Sequence, residues 1–311
     1  MSSSSLVAGR YRLEQPLGHS GMREAWRAVR ISDATRVVVS LLRRVEPNRF
    51  LNELMLARRI DHPHVARVLD GGIGAASEAY LVSELCDGLD LRDHLRAHGP
   101  QPARVAVELV AQLADGLAAV HGVNLVHRDV NPTSAFVTSG GVKLTDFGMP
   151  EPAQDARTGL LAIVPSSDML PYIAREFFTK EQIDHRTDVY ALGIIFYELL
   201  TGRLPINPEG IADLISIVVQ LEAHDLSALA AQPPMLQSLV ADMLAMAKER
   251  RPSAADVVAR LRGIASTDLP ASRDVTGAHP APAGFGTSSG ISRALITPKS
   301  AGRGLKAKDS A

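Results

Sequence analysis

The chain has 311 residues, 46% of them hydrophobic and 22% charged, which is enough apolar material for a large core and excludes disorder throughout. Its formal net charge of −1 supplies no basic field for nucleic acid and no bias toward an anionic membrane surface, so neither is expected as a partner. The single cysteine, Cys86, excludes an internal disulfide and fits a reducing cytoplasm, and its plainer role is packing.

In chain order, "MSSSSLVAGRY" lacks a charged start followed by an apolar run and does not read as a secretory signal; residues 1–8 are expected to be disordered. From Tyr11 to about Val39, short alternating runs broken by the turn "LGHSG" predict strands joined by hairpins. "NRFLNELMLARRI" places Phe50, Leu54, Ala57 and Ile60 on one stripe and predicts an amphipathic helix. "AYLVSELCDG" is again extended. The stretches that follow are helical in period: "LRDHLRAHG", "PARVAVELVAQLADGLAAVHG", "RTDVYALGIIFYELLTG", "GIADLISIVVQLEA" and "PMLQSLVADMLAMA", several ending on the glycine that suits a left-handed helix end. The most apolar run, "VYALGIIFYELL", is too short to span a bilayer and reads as a buried helix. Residues 265–311, rich in Ser, Thr, Pro, Gly and Ala, read as a disordered tail.

The order of these elements and a set of motifs resemble the Hanks-type Ser/Thr protein kinases, especially the bacterial ones. "LGHSGMREAWRA" is similar to the glycine-rich loop, "VVVSLL" to the strand that carries the phosphate-binding lysine, and "FLNE" to the helix whose glutamate pairs with it. "YLVSELCDG" resembles the hinge, "LVHRDVNPTSAFV" the catalytic loop, "VKLTDFG" the metal-binding motif, and "PYIARE", "RTDVYALG" and "RRPS" the landmarks of the helical lobe. The resemblance implies an α+β, bilobal protein-kinase-like fold over residues 9–264: a small β-rich N-lobe with one main helix (about 9–83), a hinge (84–88) and a larger α-helical C-lobe (about 89–264). It also implies that Glu176 pairs with Arg251, that Asp188 accepts hydrogen bonds from the catalytic-loop backbone, and that Gly193 lets helices pack closely.

Residues implied to handle ATP and Mg²⁺ depart from the family pattern. Gly18 and Gly21 remain in the phosphate loop, where a Cβ would collide with a closely approaching triphosphate, but Ser20 and Arg23 replace two further glycines. Ser40 stands in place of the strand lysine, which leaves Glu53 without its usual partner, and Val38 replaces the small residue beside adenine. Glu84 and Cys86 are implied as the hinge groups, with Leu17, Ala25 and Phe136 as apolar walls. Asp129 stays at the catalytic base position and Asp146 at a metal position, whereas Ser134 replaces the second metal ligand and Asn131 a lysine. Met169 replaces a threonine that would bond the catalytic aspartate, and Arg175 replaces a proline.

Phosphoryl transfer depends on positioning and charge, so these losses predict a pseudokinase: a signalling scaffold or allosteric regulator of a protein partner such as an active Ser/Thr kinase, with weak or absent binding of ATP and Mg²⁺. The alternative is a weak or atypical Ser/Thr kinase. In the with-no-lysine kinases a lysine in the glycine loop replaces the strand lysine, and that position here is Arg23, which either reaches inward toward Glu53 and the phosphates or faces solvent. Arg43 and Arg44 lie too near the strand end to substitute, and Lys143 reads as an exposed strand residue. Thr158, Ser166 and Ser167 before "ARE", and Thr267, Thr276, Thr287 and Thr297 in the tail, are candidate phosphorylation sites for another kinase.

Overall fold

The computed structural model of the chain describes residues 6–20, 23–43, 45–74, 78–146, 167–179, 181–206, 212–213, 216 and 224–266. Gly21, Arg44, Thr158, Ser166, the helix expected over 210–223 and the tail threonines fall outside the described residues or largely so, as do most of residues 1–8.

The N-terminal part forms an antiparallel sheet of β1 (Leu6–Val7), β2 (Tyr11–Ser20), β3 (Arg23–Arg30), β4 (Arg36–Leu42), β5 (Val68–Ile73) and β6 (Ala79–Glu84), in the spatial order β1-β2-β3-β4-β6-β5. Burial along β3 and β4 falls on both faces of the sheet, Ala25 and Leu42 on one and Ala28, Val37 and Val39 on the other. The helix α1 (Pro47–Ala57) crosses between β4 and β5. Glu46 caps it by accepting from the amides of Asn48 (3.0 Å) and Arg49 (2.6 Å), and Pro47 opens its first turn, where its missing N–H costs nothing. The stripe Phe50, Leu54 and Ala57 is buried as the pattern predicts, with Ile60 just beyond the helix.

Beyond the hinge, β7 (Leu89–Asp90), β8 (Ala135–Thr138) and β9 (Gly141–Leu144) make a small second sheet, and the α-helices among the described residues include α2 (Leu91–His98), α3 (Ala103–Gly122), α4 (Arg186–Thr201), α5 (Pro234–Met243) and α6 (Ala254–Ser266). The large core unites Leu113 and Leu117 of α3, Ile194, Ile195 and Phe196 of α4, Leu239 and Val240 of α5, and Leu261 of α6. Thirteen of the α4 residues are buried, as its apolar sequence demands, and Gly202 ends the helix in the left-handed region (φ 69°). A Cβ on Gly193 would lie 2.9 Å from both Met243 Cβ and Leu244 Cδ2, so only glycine permits α4 to approach the end of α5 this closely. Among the described residues no helix is long and apolar enough to cross a membrane.

One buried ion pair locks the helical lobe. The Arg251 guanidinium meets Glu176 with Nη1 at 2.6 Å and Nη2 at 3.2 Å, while Thr187 donates to Glu176 at 2.6 Å and the Arg251 Nε donates to the Ala245 carbonyl at 2.8 Å. With side chains 0% and 1% exposed, each charge depends on the other.

Candidate active site

The cleft between the two sheets is built from β3 and β4 above and the segment 127–146 below. Ala25 pairs with Ser40 across the β3–β4 ladder, and Arg23 lies two residues from Ala25, so all three share one face. That register turns Arg23 inward. Its Nε donates to Ser40 Oγ at 3.1 Å and its Nη2 reaches Asp146 Oδ1 at 2.5 Å, with side-chain exposures of only 14% and 16%. The solvent-facing alternative for Arg23 is therefore corrected: two bonded partners and the strand register hold it in the cleft. Its acidic partner is Asp146, not Glu53. Arg43 points away instead, 63% exposed and loosely paired with Glu24 at 3.7 Å.

Glu53, buried on α1, is met from below by Arg128, whose Nη1 lies 3.1 Å from Glu53 Oε1, and from its own helix by Arg49 at 3.3 Å. Glu53 Oε2 is buried with no hydrogen-bond partner. Arg128 adopts a φ of 68°, a left-handed conformation costly for a side chain with a Cβ, and the backbone bonds around it explain why it persists. The amides of His127 and Arg128 both donate to Asp188 at 2.8 Å, and His121 Nε2 lies 2.8 Å from the same carboxylate. Burial opposes ionisation of Asp188, but the His121 contact and the backbone donors outweigh it and hold its pKa below the usual carboxylate value. Buried His127 in turn bonds the Thr145 carbonyl through Nε2 at 2.9 Å, fastening the loop to the strand that carries Asp146.

Asp129 sits partly buried beside this frame. The Asn131 amide donates to its carboxylate at 3.0 Å and to its carbonyl at 2.9 Å, occupying the place of the lysine with a neutral donor. Burial pushes the Asp129 carboxyl up to about 7; Arg23 and Asn131 pull it down, and the neighbouring Asp146 pushes it up. Ser134, 1% exposed, is spent within the loop: its hydroxyl donates to the Asn131 backbone carbonyl at 3.0 Å and accepts from the Asn131 backbone N–H at 3.1 Å in a capping box. Asp146 is the one carboxylate left on the metal side, at a φ of 67°, and it is already neutralised by Arg23. Among the described residues no group of three or more His, Cys, Asp or Glu is clustered in the cleft or elsewhere.

At the hinge, the Glu84 amide donates to the Arg67 carbonyl at 3.0 Å, and the Glu84 side chain forms an ion pair with Lys143 of β9. Lys143 is thus a half-buried partner of the hinge and not a free exposed strand residue. Phe136 faces Asp90 and Lys143 in the ladder, while Val38 lies opposite Ser83. Leu17 and Gly18 are exposed on β2. Cys86 is half-buried, and burial together with Glu84 pushes its thiol up to about 12. Met169 receives an Arg92 Nη2 contact at 3.6 Å to its sulfur, and Arg175 lies 3.7 Å from Glu181.

Links that the sequence reading does not foresee include Arg128 to Glu53, Asn131 to Asp129, Lys143 to Glu84 and Ser134 to Asn131. The register of β3 was the available signal for Arg23, because alternation from the small wall residue Ala25 puts it on the same face.

A two-lobed molecule with this cleft, hinge and anchored loop is a protein kinase domain, and the protein kinase domain family matches residues 11–261. The chain belongs to that family, within its bacterial Hanks-type Ser/Thr branch. It is 32% identical over 215 residues to the serine/threonine-protein kinase pkn2 of Myxococcus xanthus, covering 66% of this chain and 26% of the relative. It is 32% identical over 273 residues to PknB of Mycobacterium leprae (79% and 43% covered) and 28% identical over 261 residues to PknA of Corynebacterium glutamicum (79% and 53%). The chain thus spans between 26% and 53% of these relatives' lengths. Among solved structures, Rad53 1-466 in complex with AMP-PNP shares the fold with a TM-score of 0.65 at 20% identity, covering 79% of this chain and 63% of that one.

Proposed function

We propose that this chain is a pseudokinase: a kinase-fold scaffold or allosteric regulator of a protein partner, with an active Ser/Thr kinase as the favoured partner class. The observation that carries the reading is the Arg23–Asp146 pair at 2.5 Å. It places a cation of the protein's own on the carboxylate that a metal-bound nucleotide would need, so ATP and Mg²⁺ bind weakly or not at all. Three further features support it. Ser40 provides no charge for the phosphates, the Ser134 hydroxyl is consumed by Asn131, and Glu53 is engaged by Arg128. The bonds that hold the fold, Glu176 with Arg251 and Asp188 with the loop amides, remain.

A second reading has one observation in its favour. Because Arg23 is directed inward beside Ser40, its guanidinium lies near the position of the absent lysine, and it would serve an atypical Ser/Thr kinase if nucleotide drew it from Asp146. Incubation of the purified chain with radiolabelled ATP and a generic protein substrate separates the two. The pseudokinase reading expects no transfer above that of Asp129→Ala, and transfer that Asp129→Ala and Arg23→Ala both abolish would replace it with the second. Restoring Ser40→Lys, Asn131→Lys and Ser134→Asn together is expected to recover nucleotide affinity more than the single changes sum to, because the three act on one site.

A further inference from the structure

Two ion pairs cross the cleft from the β-rich lobe to the helical lobe. Arg23 on β3 reaches Asp146 at 2.5 Å, and Glu53 on α1 meets Arg128 at 3.1 Å. All four side chains are between 10% and 16% exposed, so salt screens these pairs much less than pairs on the surface. They start from different elements of the upper lobe and land near opposite ends of the segment 127–146.

Those two ends are fastened to each other and to the helical lobe. His127, beside Arg128, bonds the carbonyl of Thr145, beside Asp146, at 2.9 Å, and Asp188 of α4 holds the amides of His127 and Arg128 at 2.8 Å. Both lower partners keep a left-handed backbone, φ 68° at Arg128 and 67° at Asp146, a cost that the surrounding bonds offset. The upper lobe also joins this segment through main chain: Leu144 donates to the His64 carbonyl at 2.9 Å, and Ala66 donates to the Leu144 carbonyl at 2.7 Å. A main-chain junction alone leaves two lobes free to hinge, and further attachments from β3 and from α1 remove that freedom.

We propose that Arg23–Asp146 and Glu53–Arg128 form an electrostatic latch that holds the lobes closed, and α1 against the catalytic loop, with no nucleotide bound. The inference rests on the scaffold reading and deepens it: the shape that a protein partner meets is set by charges of the chain itself and not by nucleotide occupancy. Either pair restrains the lobes while the other is broken, so release requires the loss of both, and the effect of losing both exceeds the sum of the single losses.

Double electron–electron resonance tests the latch, with spin labels at Ser32→Cys in the β3–β4 turn and Ser238→Cys on α5, both exposed positions, in a Cys86→Ser chain. Without nucleotide, the chain with both pairs intact is expected to give one narrow distance distribution. Arg23→Met and Arg128→Met together are expected to broaden it and shift its mean by more than about 2 Å, the scale of a hinge movement, with the single changes summing to less. Glu53→Gln with Asp146→Asn removes the same attractions through nearly isosteric side chains and is expected to do the same, so it decides the matter if the arginine variants do not fold. A broad distribution in the chain with both pairs intact, or an unshifted one in either folded double variant, would overturn the latch. Phosphate transfer from radiolabelled ATP by a chain that gives the narrow distribution would contradict the scaffold reading alone.

Discussion

Replacing Asp129 by asparagine should stabilise the protein by an amount that grows as pH rises above about 4 and is complete above about pH 7. The reasoning starts from the Asp129 carboxyl, raised from 3.8 to about 7 mainly by burial. In the unfolded chain this group ionises at its ordinary value. Between the two pKa values the folded state therefore binds more protons than the unfolded state, and stability falls as pH rises through that window. The penalty is absent below about pH 4 and complete above about pH 7. A shift of about three units corresponds to roughly 4 kcal/mol, and because the side chain is partly open to solvent about half of that is expected to be realised. Asparagine keeps the oxygen that accepts from Asn131, at 3.0 Å in the native chain, so the local geometry survives. A gain of about 2 kcal/mol raises the melting temperature of a domain this size by roughly 4–8 °C. Thermal melts of wild type and Asp129→Asn should therefore agree closely at pH 4.5 and separate by that amount at pH 8. A variant equally destabilised at both pH values would refute the assignment of a buried, reluctantly ionised carboxylate.

Three other perturbations have expected outcomes. Glu176→Gln leaves the Arg251 cation buried without its partner and should cost about 3–5 kcal/mol in urea denaturation, with an unchanged midpoint contradicting the role of the pair. Gly193→Ala forces a methyl to within 2.9 Å of Met243 and Leu244 and should cost about 1–3 kcal/mol, which the same titration measures. Cys86, its thiol pushed up to about 12, should alkylate with iodoacetamide far more slowly at pH 7.5 than a free cysteine; mass spectrometry showing complete early modification would contradict that burial.

The order of lobes, the α1 stripe and the landmark pairs of the helical lobe were legible because each rests on local period or on a motif. Glu176 and Arg251 meet although 75 residues separate them, since both sit in motifs whose partners the family pattern implies. The links that were not legible are side-chain choices across the cleft. Arg128 could bond Glu53 or turn outward; the left-handed backbone at Arg128 and the anchoring of the loop by Asp188 decide it, and neither has a sequence period. Lys143 likewise reads as an outward strand residue until β9 is placed beside the hinge, where Glu84 offers the nearest charge. Ser134 stands at the position of the second metal ligand, but its short side chain bonds Asn131 three residues away.

The central claim is that Arg23 on Asp146 closes this cleft to a metal-bound nucleotide, and the most direct measurement is the melting temperature of the unmodified chain with and without millimolar ATP and Mg²⁺. A ligand present at a hundred times its Kd stabilises by about 2.7 kcal/mol, or roughly 5–10 °C for a domain of this size. The account predicts a shift below about 1 °C. A rise of several degrees that requires Mg²⁺ and disappears in Asp146→Asn would contradict it, because the carboxylate would then be serving a metal despite the arginine that lies against it.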